Sequence, residues 1–192
     1  MNGLRTVVAG AATLLLAGCM TPWTKVEESR QTSADGSFAI DAPVGWVRFT
    51  MNRDQLLITR DGSTIQFISV ALRPHDKAFE KIKRKSDENL LPTELADLTV
   101  AELRTQPILQ NIEIIDNQPR AVGGRPGFAL HLQYRTERGA PFDRVVYGAA
   151  FKDGVLFFTY NALHIYYFER DRAVFDQVVA SYKPLGDATA AR

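Results

Sequence analysis

Two stretches of this chain of 192 residues are apolar on both of their alternating faces, and they limit its fold more than any other feature. In residues 64–72, Ile65 and Phe67 fall on one side of an extended strand, and Ile68, Val70 and Leu72 fall on the other. In residues 155–162, Val155, Phe157 and Thr159 oppose Leu156, Phe158 and Tyr160. Strand side chains alternate with period two, so a strand loaded on both sides needs a sheet that is covered on both faces. The rest of the chain must supply that cover.

Taken in order, Phe38 and Ile40 alternate with Ala39 and Asp41 as in a half-buried strand ended by Pro43. Residues 46–49 and 55–59 read as two more strands, the latter closed by Asp61-Gly62. Asp76 is placed to cap a helix over residues 77–88, with Phe79, Ile82 and Ser86 on one face and the basic Lys81, Lys83, Arg84 and Lys85 solvated on the others. Pro92 suits the first turn of a second helix that carries Leu95, Leu98 and Leu103 inward, has a possible break at the capping-box spacing of Thr99 and Glu102, and ends at Gln106 before Pro107. Strand signals follow from Asn111. They run through residues 112–115, a tight glycine-rich connection at residues 123–127, and residues 128–136, 142–151 and 155–162. Asp153-Gly154 forms a hairpin that lies at the centre of the sheet. Val174, Phe175, Val178, Val179 and Tyr182 form a stripe at helical spacing in a closing helix over 168–182. The pattern predicts an α+β fold, an antiparallel sheet covered by helices on both faces in an α/β/α sandwich.

The N-terminus has a different character. One basic residue, Arg5, precedes an apolar run from Val7 to Leu16, too short to span a bilayer, which needs about 20 apolar residues. Leu16-Ala17-Gly18-Cys19 then resembles the lipobox of bacterial lipoproteins. The resemblance implies that residues 1–18 are a signal peptide, that the Cys19 thiol receives a diacylglycerol, and that the new amino terminus carries a further acyl chain such as palmitate. Each buried methylene adds about 0.8 kcal/mol to such an anchor. Met20, where an Asp would mark inner-membrane retention in enterobacterial lipoproteins, implies a protein of the outer membrane facing the periplasm. Cys19 is the only cysteine, so the domain has neither a disulfide nor a thiol nucleophile. Residues 19–35 are polar and read as a tether, 36–184 as a single domain, and 185–192 as a disordered tail.

Within the domain, Phe38-Ala39-Ile40-Asp41-Ala42-Pro43-Val44-Gly45-Trp46, the middle helices, the strand pair around Asp153-Gly154 and the ending from Phe175 to Tyr182 resemble the PsbP-like fold. That superfamily includes the PsbP subunit of photosystem II, a Ran-binding nuclear import factor and bacterial lipoproteins. The resemblance implies the same α/β/α sandwich and a noncatalytic role in binding or assembling larger complexes. It carries no functional residue onto this sequence.

The chemical inventory points the same way. Lys and Arg number 23 against 22 Asp and Glu, and loss of residues 1–18 removes only Arg5, leaving 22 of each. No basic face for a nucleic acid is therefore expected. His75, His131 and His164 are separated in sequence and lack zinc-site spacing, and His131 reads as a surface residue. Residues 123–127 lack the ending and context of a phosphate loop, and no Gly-x-Ser-x-Gly elbow occurs. Asp143 and Asp153 are a conceivable acid/base pair but read as solvated. No catalytic residue, metal ligand or cofactor is expected. The preferred reading is a membrane-anchored envelope lipoprotein whose domain is a noncatalytic interaction or assembly module for an envelope protein. The alternative is a binder of a small hydrophobic or lipidic ligand between sheet and helices. His164-Ile165-Tyr166-Tyr167-Phe168 supplies the candidate partner face: Phe168 packs as a staple, while Tyr166 or Tyr167, with Arg170, stays on the surface.

Overall fold

The computed structural model describes residues 22–185. Its strands are β1 (Trp23–Lys25), β2 (Arg30–Thr32), β3 (Phe38–Asp41), β4 (Val47–Phe49), β5 (Leu56–Thr59), β6 (Gln66–Arg73), β7 (Gln110–Val122), β8 (Arg125–Arg135), β9 (Pro141–Phe151), β10 (Gly154–Leu163) and β11 (Lys183–Pro184). The helices are α1 (Pro92–Arg104) and α2 (Tyr167–Ala180). The main antiparallel sheet runs β1-β4-β5-β6-β10-β9-β8-β7, and a small one runs β11-β3-β2. The two doubly apolar stretches become β6 and β10, neighbours at the centre, with Phe158 opposite Val70 and Tyr160 opposite Ile68.

Turn chemistry sets the register on the other side. Gly123 and Gly124, at φ +57° and +81°, form the two-residue turn between β7 and β8, a geometry that costs other residues and not glycine. β7 is a long edge strand, exposed along nearly all its length, and such edges invite unwanted pairing. Pro119, which has no N–H to offer, and two register shifts blunt it.

Each sheet face has its own apolar cluster. On one, Phe168, Phe175, Val178 and Val179 of α2 join Phe38 and Ile40 of the small sheet against Ile68, Val70, Leu156, Phe158 and Tyr160. On the other, Leu95, Ala96 and Leu103 of α1 join Ala78 and Phe79 against Leu130, Leu132, Val146 and Val155.

The expected α/β/α sandwich is corrected by this arrangement. Among the described residues strand takes up 45% and helix 16%, with two helices, so the fold is a β-rich sandwich and not a sheet enclosed by helical layers. Much of the cover beside α2 is the three-stranded sheet. The helix expected over 77–88 is a run of turns with one bridge, Phe79 to Arg84. Lys81 and Lys85 would stack like charges one helical turn apart. Lys83 instead takes φ +56°, and the Glu102 carboxylate of α1 accepts the backbone N–H groups of Lys81 and Ile82 at 3.3 and 3.2 Å, standing in for helical bonds.

The tether reading of residues 19–35 is corrected too. β1 pairs with β4, β2 pairs with β3, and Val26 between them is buried at 2% exposure, so the fold includes residues well before Gly36. The signal peptide at 1–18, Cys19, and residues 186–192 of the expected tail lie outside the described residues. Among the described residues no helix is long and apolar enough to cross a membrane.

Candidate functional site

The chain leaves the central strand β10 and enters α2 through His164, Ile165 and Tyr166. Tyr166 sits at the head of α2 with φ +74° and ψ −53°, a conformation that a bulky residue adopts only when its surroundings force it. Its side chain is 65% exposed. Tyr167 differs: it is half-buried against the core, and its carbonyl accepts the Tyr160 hydroxyl at 2.8 Å. Burial pushes the Tyr160 hydroxyl's pKa well up, so it remains a donor.

Arg170 reaches back from the first turn of α2 and lies over both rings, 5.3 Å from the Tyr166 centroid and 5.1 Å from that of Tyr167. It bonds the carboxylates of Asp171 and Asp61, and Arg60 meets the far oxygen of Asp171 at 3.3 Å. The hydrogen bond to Asp171 is the chief cause that drives the Arg170 pKa further up. Of the three expected face residues, Tyr166 is therefore presented to solvent, Tyr167 is partly core, and Arg170 is a neutralised brace that holds the tyrosines. Asp61, legible in sequence only as a turn residue, is half of that brace.

A second cluster abuts this one and corrects the reading of the histidines as isolated. Asp143, on β9 and 1% exposed, accepts His131 Nε2–H at 2.8 Å, His164 Nδ1–H at 2.5 Å and the Gln133 side-chain amide at 3.0 Å. Because an ionised carboxylate only accepts, both imidazoles carry their proton on the nitrogen that faces it. The His131 ring stacks on Phe168 at 5.1 Å, so it is not a free surface residue. Neither ring bonds a serine, threonine or cysteine among the described residues, and no group of three or more His, Cys, Asp or Glu there could hold a metal. Asp153 lies in the turn at the far end of the β9–β10 hairpin, so the Asp143–Asp153 pair does not form. His75 is a structural clip, bonded to Ser86 Oγ and to the Phe151 carbonyl, both at 2.9 Å.

No family model matches the chain, and no curated protein is similar to it in sequence. Its fold is similar to that of the Saccharomyces cerevisiae Ran-binding protein Mog1p, at 10% identity and TM-score 0.57, over 84% of this chain and 97% of that one. A point mutant of Mog1 gives 10% identity and TM-score 0.56 over 85% and 99% of the two chains. A looser likeness, at 13% identity and TM-score 0.47 over 91% and 99%, extends to the cyanobacterial PsbP of Synechocystis. At such identities the likeness to Mog1 establishes the fold alone.

Proposed function

We propose that this chain is a lipid-anchored cell-envelope protein whose domain is a noncatalytic interaction or assembly module. Cys19 holds it at the membrane, in the outer membrane facing the periplasm, and the head of α2 meets an envelope protein through Tyr166. The observation that carries this reading is the combination of exposure and strain at Tyr166. A large aromatic residue at the centre of a positive-φ γ-turn, closed by the Tyr167 N–H donating to the Ile165 carbonyl at 3.0 Å, costs about 1–3 kcal/mol, and such strain collects at functional sites. The Arg170 brace holds the ring in place, and rigid aromatic side chains are the kind that anchor interfaces. The fold shared with a Ran-binding protein is in keeping with a protein partner.

Crosslinking in native membranes tests the face. Tyr166→Gly relieves the strain, so it should leave the melting temperature unchanged or raised while abolishing the captured species. Capture at the wild-type level would remove Tyr166 from the interface. The anchor is tested separately: Cys19→Ser should leave the protein unprocessed or soluble, and a variant that still floats with carbonate-washed membranes at the wild-type mass would refute lipidation.

A further inference from the structure

The sheet face under α1 is incompletely covered. α1 packs over β7, β8 and β9, so the β6–β10 part of that face is roofed only by the helix edge and by the turn at Phe79. A cavity of about 220 Å³ remains there. Its lining is mixed: Phe67 and Ala71 from β6, Phe157 from β10 and Val146 from β9 are apolar, while Ser69 and Arg73 of β6 and Thr159 of β10 are polar.

Arg144 of β9 lies in the wall of this cavity and is only 9% exposed. Its Nε donates to Asn161 Oδ1 at 3.0 Å, and its guanidinium lies 5.3 Å from the centre of the Tyr134 ring. Among the described residues no carboxylate comes within ion-pair distance of it, whereas Arg30, Arg60, Arg120, Arg170 and Arg172 each have one. Burial pulls its pKa below the ordinary value, with only Tyr134 acting against that. The acid in the cavity wall, Glu102, commits its two oxygens to the backbone N–H groups of Lys81 and Ile82. A buried cation with no counter-charge is costly, and an anion brought to it recovers much of that cost.

We propose that this cavity binds a small organic anion, a monocarboxylate with a compact ring or branched apolar body, whose carboxylate meets Arg144. The planar guanidinium matches a carboxylate in a way that a point cation does not. The size also decides. An apolar cavity of about 150 Å³ takes up benzene, so this one has room for a ring plus a carboxylate. It falls below the roughly 300–1,000 Å³ of sites for larger ligands, which sets aside a long-chain lipid. The site is on the opposite sheet face from Tyr166 and does not depend on the partner reading.

The test is calorimetric titration of the full-length protein in lipid nanodiscs, with benzoate and its neutral counterpart benzyl alcohol as probes and empty nanodiscs as the blank. Benzoate should bind at least tenfold more tightly than benzyl alcohol. Arg144→Gln should remove that preference. Thr159→Phe, which fills the cavity from a partly exposed position on β10, should abolish binding of both probes. Equal affinity for the two probes, no benzoate binding at millimolar concentration, or undiminished benzoate binding by Thr159→Phe would each overturn the proposal. The probe comparison on the unmodified protein decides the matter even if Arg144→Gln does not fold.

Discussion

The two faces of the main sheet are built from the same strands yet are filled very differently. On the α2 face the Tyr160 ring stacks against Phe168 at 5.5 Å and Phe175 at 5.7 Å, and its hydroxyl is satisfied by the carbonyls of Tyr167 and Phe168. On the α1 face, Phe157, Thr159 and Leu163 of the same strand stay partly exposed, and a cavity opens beside them. A helix and a three-stranded sheet share the cover on one side, whereas a single helix and a run of turns must serve on the other. A strand that is apolar on both sides thus demands two covers without requiring that they be equally complete. The tight cover gives stability, and the loose one leaves room for a ligand.

Adjacent phenylalanines give the largest contrast. Phe158→Ala should cost about 3–5 kcal/mol in urea unfolding, the range for a fully buried ring and the cavity it leaves. Phe157→Ala, at the wall of an existing cavity, should cost clearly less, about half. Equal losses would break the comparison. Asp143→Asn, which leaves a donor facing the two imidazoles at the edge of the α2 face, should cost about 2 kcal/mol. A neutral result would show that the cluster is not part of that face's stability.

The smallest effect belongs to Asp35, on the connection between β2 and β3. Burial raises its pKa, but hydrogen bonds from Ser33 and Ser37 outweigh that and hold it below the ordinary value. A carboxylate lowered in the folded state stabilises above its unfolded pKa, and that contribution fades as pH falls through the folded one. The melting temperature of Asp35→Asn should therefore lie slightly below wild type at pH 7 and converge with it below about pH 4. A gap that widened in acid would contradict the assignment.

Much of the sheet was legible in the sequence because β6 and β10 are apolar on both faces and Asp153-Gly154 marks the β9–β10 hairpin. Pro92 marked the start of α1 for a local reason as well. The stretch at 77–88 misled because the spacing of Phe79, Ile82 and Ser86 is helical, while the crowding of Lys81, Lys83, Arg84 and Lys85 and the bonds offered by Glu102 are decided elsewhere. β1 and β2 have three residues each, too few to show a period. The polar clusters depend on register. Gln133 stands opposite Asp143, and Arg144 opposite Asn161, only once β8, β9 and β10 are aligned. Tyr166 was readable as a candidate from residue type and position, but its strain and its Arg170–Asp61 brace come from packing.

Native-state hydrogen exchange compares the two covers directly. If the α2 face is the closed core and the α1 face the loose one, amides at Phe175, Val178 and Val179 should exchange only through global unfolding. Those at Leu95, Ala96 and Thr99 should exchange through a local opening about 2 kcal/mol lower in free energy. Protection of α1 equal to or greater than that of α2 would contradict the account.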